Sequence, residues 1–378
     1  MIIEQSIWTQ KKGWEVLNPH SKRIQADLVL AFGGIDDVNQ PEHFEYLKDQ
    51  YPEANIVMSS TAGEILNDNV YENSISVSAI KYEKTRLKLV EIAVNEFESS
   101  YHCAKELSKN IDQKDLNHIL VISDGNLVNG DLLVKGLNDS FPKEVLITGG
   151  LAADSGKFYE TYVGLNSVPS SGKIVAIAHY GKELKVNHGS KGGWDEFGPL
   201  RAVTKSNGNV LYELDGKNAL ELYKKYLGEK ADDLPGAALL FPLSVLEKDG
   251  SELVRTILAI DEPAGSMTFA GDIPQGKQVR FMMANFDRLI DGAAGAAEST
   301  FLNTKRSTPE FVLMISCVGR KIVLDQRVEE EVESVKEIFG NDAHYTGFYS
   351  NGEISPVVDS VGCSLHNQTM TITTYSEQ

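Results

Sequence analysis

Acidic residues that follow glycine-containing loops are the first candidates for ligand binding in this sequence. Because glycine lets the backbone approach a ligand closely, an acidic side chain beside it could bind an ammonium group or several hydroxyl donors. The same acids could instead accept hydrogen bonds from the amides of their own loops, which also need partners. The acids and their loops are Glu64 in STAGE (60–64), Glu353 in SNGE (350–353) and Asp154 in GGLAAD (149–154).

A basic candidate, Arg320, comes shortly after an apolar stretch that ends at Cys317. A guanidinium at the end of a strand could bind a ligand carboxylate through two parallel hydrogen bonds. If Arg320 and Glu353 lie close together, they could bind the two ends of an amino acid. The alternative is an internal ion pair between Arg320 and Glu353 or another acid.

Cys317, His344 and Glu353 are the residue types of a cysteine nucleophile, its base and an orienting acid. They raise a cysteine-dependent hydrolase as an alternative function, although their spacing matches no diagnostic signature. Cys317 lies within an apolar stretch, where a thiol is packed and inert. We therefore expect a binding protein without catalytic residues rather than an enzyme.

The histidines and cysteines give little support to a metal or haem site. The eight histidines form no HxH, HExxH or CxxCH pattern, and the three cysteines are odd in number and widely spaced. Neither a disulfide framework nor a clustered metal site is expected. A single axial histidine to haem needs no local motif, which leaves His344 and His188 as candidate haem ligands or ordinary core and surface residues.

A repeated unit positions these candidates. Each copy begins with a buried strand, continues with a helix and a second strand, and reaches one of the acidic loops before further strands. A parallel crossover followed by antiparallel strands predicts an α/β fold with mixed parallel and antiparallel sheets and flanking helices. The copies begin at 26–32, 117–123 and 309–317, their helices are 41–51, 130–140 and 326–339, and their second strands are 55–59, 144–148 and 344–349.

The stretch between the second and third copies has a different composition and predicts a domain boundary. Residues 185–193 are rich in glycine and polar side chains, and a hairpin follows around Asn207-Gly208-Asn209. Asp215 is placed to cap the helix 217–227, which Gly228 would end. We expect one module at 1–200 and another at 201–378, with the repeated loops near their interface, where pockets commonly form.

The dipeptide Asn351-Gly352 separates an apolar run from Ile354-Ser355-Pro356. Asparagine followed by glycine in such a setting commonly forms a turn with positive φ. The sequence therefore predicts a turn that aims Glu353.

The overall charge excludes some classes of partner. The 378 residues include 36 lysines and arginines against 54 aspartates and glutamates, a difference that gives a net charge of -18. Such a surface repels nucleic acid and anionic lipid. We see no signal peptide at the beginning and no run of about 18 apolar residues. These features predict a cytoplasmic protein without direct membrane insertion.

Several motifs together resemble the FIST family of bacterial sensory and signal-transduction proteins, which has an amino-terminal and a carboxyl-terminal module. The resemblance covers nearly the whole chain. One departure is Ser59, where a glycine-cysteine start to the loop is expected. The motifs are STAGE (60–64), GGLAAD (149–154), Gly198-Pro199 with YELDG (212–216), GSMTFAGDIPQG (265–276), SCVGR (316–320) and GFYSNGEISP (347–356).

The resemblance implies a sensor of a small ligand, an amino acid or a related metabolite. A separate signalling protein, such as a histidine kinase or a cyclase, would carry the output. Some family members look like haem proteins that sense nitric oxide, which is the alternative function. The expected ligand-binding residues in the motifs are Thr61, Gly63, Glu64, Gly150, Asp154, Cys317, Arg320, Phe348, Tyr349, Gly352 and Glu353.

Overall fold

The structure is a computed structural model that describes residues 1–21, 24–247, 250–302, 308–357 and 362–378. With 25% helix and 42% strand in mixed sheets, it confirms the predicted α/β class. The α-helices are α1 Ile35–Val38, α2 Pro41–Gln50, α3 Ser100–Lys109, α4 Gly130–Asn138, α5 Ala219–Leu227, α6 Phe286–Ser299, α7 Val318–Leu324 and α8 Val328–Phe339.

The strands fall into four sheets. Those before the boundary stretch are β1 Ile2–Thr9, β2 Gly13–Val16, β3 Leu28–Gly33, β4 Asn55–Ser60, β5 Glu64–Leu66, β6 Asn69–Tyr71, β7 Ser74–Lys81, β8 Arg86–Ala93, β9 Leu116–Ser123, β10 Leu146–Leu151, β11 Val163–Leu165, β12 Lys173–Tyr180 and β13 Leu184–Lys191. Those that follow are β14 Asp195–Asn207, β15 Val210–Leu214, β16 Lys217–Asn218, β17 Leu243–Leu246, β18 Glu252–Arg255, β19 Ile257–Asp261, β20 Ser266–Phe269, β21 Gln278–Met283, β22 Phe311–Cys317, β23 His344–Ser350, β24 Gly352–Pro356, β25 Cys363–His366 and β26 Met370–Glu377.

The three sequence copies form three structural units of one design. In each, the first two strands are parallel: β3 with β4, β9 with β10, and β22 with β23. Their apolar runs are buried on both faces, as expected for parallel strands. An equivalent backbone hydrogen bond forms at the end of the first strand in each unit. The three bonds are Gly34 N to Ser74 O (3.1 Å), Asp124 N to Lys173 O (2.8 Å) and Cys317 N to Thr369 O (3.1 Å).

The units exchange strands in a cycle. β5 of the first unit pairs with β23 of the third, β24 of the third pairs with β10 of the second, and β11 of the second pairs with β4 of the first. Side chains from all three sheets share one central core, in which the rings of Phe32 and Phe348 lie 4.6 Å apart. Each unit is therefore completed by its neighbour.

An eight-stranded sheet built from β14 to β21 lies between the second and third units in sequence and has a core of its own. The predicted boundary between 1–200 and 201–378 falls within β14. Two of the six-stranded sheets combine strands from both sides of that boundary, and the division into two modules stays a prediction.

Two local expectations were wrong, and one was confirmed. The side chain of Asn218, rather than Asp215, caps α5, and Asp215 instead accepts hydrogen bonds from Arg201 and from the backbone of Ala202. Neither Asn351 nor Gly352 has a positive φ, because Gly352 begins β24. Gly228, with a φ of 60°, ends α5 as expected. Within the described ranges, no helix is long and apolar enough to cross a membrane.

Candidate functional site

A cleft of about 470 Å³ opens where β9 and β10 end, between the second unit and the eight-stranded sheet. The carboxyl ends of parallel strands are where α/β folds commonly bind ligands. The apolar side chains at its rim include exposed Leu127, Phe158 and Leu258. The lining residues are Gly125, Asn126, Leu127, Val128, Asn129, Gly130, Asp131, Leu151, Phe158, Asn209, Leu258, Phe269, Ala270, Gly271, Asp272 and Asn351.

A larger groove, of about 1020 Å³, lies at the opposite ends of the strands, near the starts of β9 and β22. Phe301 and Pro309 line it, and they flank residues 303–307, which lie outside the described ranges. The smaller cleft is bounded by described residues and by the repeated motifs, and it is the better candidate site.

Asp124 holds one wall of the cleft. Its carboxylate accepts hydrogen bonds from the backbone N–H groups of Asn126 (2.8 Å), Leu127 (2.7 Å) and Gly172 (2.8 Å). These hydrogen bonds fix the loop that places Asn126 and Leu127 in the lining of the cleft. The sequence interpretation missed Asp124, although an aspartate directly after a buried strand was a usable signal.

Asp154 holds the opposite wall in a similar way. Its carboxylate accepts hydrogen bonds from the backbone N–H groups of Phe158 (2.7 Å), Tyr159 (2.5 Å) and Glu160 (3.0 Å). Phe158 lines the cleft in a left-handed conformation with a φ of 54°, which is unfavourable for a bulky side chain. Asp154 thus positions Phe158 at the cleft. Its carboxylate already accepts hydrogen bonds from the loop backbone.

Asn351, a residue of the third unit, also lines the cleft. It joins β23 to β24, and its backbone N–H donates to the carbonyl of Leu151 (3.1 Å). The side-chain Nδ2 lies 3.4 Å from Asn126 Oδ1. The other side-chain atom, Oδ1, is buried and has no hydrogen-bond partner among the described residues. A buried acceptor without a donor is costly, and a ligand N–H or O–H group would satisfy it.

Two acidic side chains, Asp131 and Asp272, are among the lining residues of the cleft. Asp131, in α4, accepts from the guanidinium of Arg255 (3.2 Å) and from the backbone N–H of Asp272 (2.7 Å). Arg255 is almost fully buried and also donates to the carbonyl of Leu365 (2.9 Å). These contacts tie the eight-stranded sheet to the second unit. Burial, with the neighbouring Asp131 carboxylate, raises the pKa of Asp272.

Glu64 and Glu353 are buried behind the loops rather than exposed in them. Glu64 accepts from the hydroxyls of Thr61 (2.6 Å) and Ser74 (2.6 Å). Glu353 accepts from those of Ser350 (2.7 Å) and Thr369 (2.9 Å). Burial raises the pKa of each carboxyl to about 8. Both are largely protonated at neutral pH, so neither offers a full negative charge to an ammonium group.

Arg320 forms an internal ion pair, and its partner is Glu331 rather than Glu353. Both side chains are fully buried, with Arg320 Nη2 2.7 Å and Nε 3.0 Å from Glu331 Oε2. The guanidinium also donates to the carbonyls of Gly192 and Leu289. Tyr349 donates to Glu331 Oε1 (2.7 Å). The donors of Arg320 are therefore committed to the protein.

Cys317 and His344 do not come together. They lie at opposite ends of neighbouring parallel strands, since His344 pairs with Phe311 and Cys317 with Ser350. Six residues of strand separate them by roughly 20 Å. Burial also raises the pKa of the Cys317 thiol, which disfavours the thiolate. The cysteine-nucleophile arrangement is wrong.

The remaining predicted site residues pack inside the protein. A side chain at Gly150 would meet Ile315 and Phe348 of the central core. Gly63 lies against the side chains of Lys321 and Tyr349. Lys321 donates to the carbonyl of Ala62 (2.7 Å), which links the first and third units. Gly352 pairs with Leu151 in the strand that borders the cleft.

No histidine is among the described residues that line the candidate cleft. His118 and His179 are buried with their Nδ1 atoms 3.3 Å apart, and His366 Nε2 lies 2.9 Å from the carbonyl of Ser355. The two candidate ligands, His188 and His344, line none of the clefts found among the described residues. No group of three metal-ligating side chains occurs in the part of the chain that the structure describes.

This chain is similar, to different degrees, to a solved structure, to a protein of another organism and to a protein family. A solved structure, a cyanuric acid hydrolase from A. caulinodans, matches over 78% of this chain and 99% of its own at 10% identity, but its TM-score of 0.18 is too low to guide interpretation. An uncharacterized protein of Methanocaldococcus jannaschii is 22% identical over 341 residues, which are 82% of this chain and 62% of that protein. The chain thus spans less than two thirds of that relative. The FIST N domain matches residues 27–217 and the FIST C domain matches residues 219–356, so the chain belongs to the FIST family.

Proposed function

We propose that this protein is a cytoplasmic sensor that binds a small ligand, an amino acid or a related metabolite, in the cleft bordered by Asn351. A separate protein, such as a histidine kinase or a cyclase, would read the bound state. FIST domains are associated with small-ligand-binding sensory signalling. The observation that carries the proposal is that Asn351 lines a cleft with an apolar rim and that its buried Oδ1 has no hydrogen-bond partner among the described residues.

The cleft has the composition of a small-molecule site. Its volume lies within the range of about 300 to 1,000 Å³ that is usual for ligand pockets. Apolar contacts from Leu127, Phe158 and Leu258 would contribute to affinity, and the amides of Asn126 and Asn351 would orient polar groups of the ligand. The free thiols of the three buried cysteines support a reducing compartment.

The position of the cleft suggests how binding is reported. Its walls come from the second unit, the third unit and the eight-stranded sheet, which meet at the ion pair between Asp131 and Arg255. A ligand that contacts all of them would favour one relative arrangement over others. That change in population is the signal that a partner protein would recognise.

A thermal-shift screen of amino acids and related metabolites tests the proposal, since a ligand selective for the folded state raises its melting temperature. We expect at least one compound to stabilise the wild type and the control Asn69→Ala, whose side chain is at the surface and away from the cleft. The same compound should not stabilise Asn351→Ala. Equal stabilisation of both variants would place the ligand elsewhere and contradict the proposal.

A further inference from the structure

We propose that Asp272 binds a positively charged amino group of the ligand, so that the compounds recognised in the cleft are amines. This inference rests on the proposed function, because it assigns a ligand class to the same cleft. Asp272 lies in the FAGD segment after β20 and lines the cleft.

The carboxylate of Asp272 is uncommitted. Among the described residues, no donor forms a hydrogen bond with it and no cation forms an ion pair with it. The neighbouring carboxylate of Asp131 is in the opposite situation, since Arg255 and the backbone N–H of Asp272 both occupy it. Asp272 is only partly buried, and its carboxylate can be reached from the cleft.

The lining of the cleft selects against anions. Its charged side chains are Asp131 and Asp272, and no lysine, arginine or histidine is among its described lining residues. The guanidinium of Arg255 lies beside both acids: its Nε donates to the backbone carbonyl of Asp272 (3.3 Å) and its Nη2 is paired with Asp131 (3.2 Å), which leaves two carboxylates against one cation. At the reduced effective dielectric near a protein surface, opposite charges attract and like charges repel more strongly than in water. A ligand ammonium beside Asp272 is therefore favoured, and a ligand carboxylate there is disfavoured.

Other cleft residues are suited to the rest of an amine. Phe158 offers an exposed aromatic surface, which attracts cations and packs against apolar groups. The unsatisfied Oδ1 of Asn351 can accept a hydrogen bond from the ligand. The raised pKa of Asp272 agrees with this arrangement, since a carboxylate close to Asp131 gains from a neighbouring cation.

The test uses phenethylammonium, putrescine and agmatine, with 2-phenylethanol as the neutral counterpart of the first. Affinities for the full-length protein are measured by calorimetry at low ionic strength. We expect at least one amine to bind the wild type, and its affinity to fall at least tenfold in Asp272→Asn. The control Asp232→Asn, at an exposed site on the same sheet domain, should bind like the wild type. The alcohol should not distinguish Asp272→Asn from the wild type.

A second measurement does not depend on the variant's folding. Amine affinity of the wild type should fall as the pH is lowered from 7 to 4, because Asp272 takes up a proton while the probes stay charged. Asp131 and Arg255 are the charged groups that face Asp272, and they form an ion pair with each other. Failure of all three amines to bind, or equal binding by Asp272→Asn, would overturn the inference. A neutral ligand that requires Asn351 but not Asp272 would overturn it while leaving the proposed function intact.

Discussion

Glu64 and Glu353 are equivalent residues of the first and third units, and each accepts a hydrogen bond from the hydroxyl three residues before it. The donors are Thr61 (2.6 Å) and Ser350 (2.7 Å). Each acid also lies in a strand that has crossed to the sheet of a neighbouring unit. Each of the two acids therefore lies where one unit pairs with another, and its buried neutral carboxyl accepts hydrogen bonds from hydroxyl groups.

These two acids should make stability depend on pH. Each folded-state pKa is about 8, raised by burial from 4.5. Between those values the folded protein keeps protons that the unfolded chain has released, so the stabilisation is complete below about pH 4.5 and is lost as pH rises through about 8. We expect the melting temperature of the wild type to fall between pH 6.5 and 9. Glu64→Gln and Glu353→Gln should each reduce that slope.

The pH window and a control isolate the effect. The buried imidazoles of His118 and His179, whose pKa values are lowered, stay neutral in the folded protein while the unfolded chain loses its imidazole protons around pH 6.5, so their contribution to stability rises with pH, opposite in sign to that of the two acids. Glu333→Gln, at an exposed position of α8, should keep the wild-type slope. If the two buried variants also keep it, the carboxyls are not protonated in the folded protein.

The ion pair between Arg320 and Glu331 should be essential to the fold. Arg320→Met leaves a buried carboxylate without its cation, which costs about 3 to 5 kcal/mol of unfolding free energy. Arg327→Met removes solvent-exposed ion pairs with Glu330 and Asp287, which are screened by water, and should cost much less than Arg320→Met. Urea denaturation measures the unfolding free energy of both variants. Similar losses would show that the buried pair contributes no more to stability than the exposed one.

Two glycines of the third unit should differ in their tolerance of alanine. A Cβ at Gly347 would lie 1.8 Å from the carbonyl oxygen of Met314, a backbone atom that cannot move away. A Cβ at Gly352 would meet only the flexible end of Leu365 at 3.2 Å. Gly347→Ala should give little folded protein, whereas Gly352→Ala should lose about 1 kcal/mol. Soluble yield and denaturation curves test this, and a well-folded Gly347→Ala would contradict the packing described.

Asp154 should affect ligand binding through the loop that it holds. Asp154→Ala removes the acceptor for three backbone N–H groups, so amide hydrogens of Phe158, Tyr159 and Glu160 should exchange faster. Ligand affinity should fall because Phe158 is no longer fixed at the cleft. Asp154→Asn, which keeps one carbonyl acceptor, should lie between this variant and the wild type. Unchanged amide hydrogen exchange in Asp154→Ala would show that Asp154 does not hold this loop in place.

The three units and their mixed sheets could be predicted from the sequence because their signals are local. Apolar runs such as β3 and the strand–helix–strand order fix the design of each unit. The cyclic exchange of strands could not be predicted, because any free sheet edge is a chemically similar partner for β5 or β24. That choice depends on how all three units pack together.

The site was predicted only in part, for reasons visible at particular residues. Glu331 lies in the acidic stretch VEEEVESV, and only the rotation of α8 against the sheet shows that this acid faces inward to Arg320. The turn signal at Asn351-Gly352 is overridden because Gly352 pairs with Leu151 of another unit. Asp272 gains its importance from a cleft whose walls are distant in sequence, so no local pattern marks it.

The most direct measurement is a structure of the protein with a compound identified by the thermal-shift screen. The account predicts that the ligand lies in the cleft, with a hydrogen bond to Asn351 Oδ1 and its remaining surface against Phe158. A ligand found in the larger groove beside Phe301, or at any site that leaves the side chain of Asn351 without a partner, would contradict it.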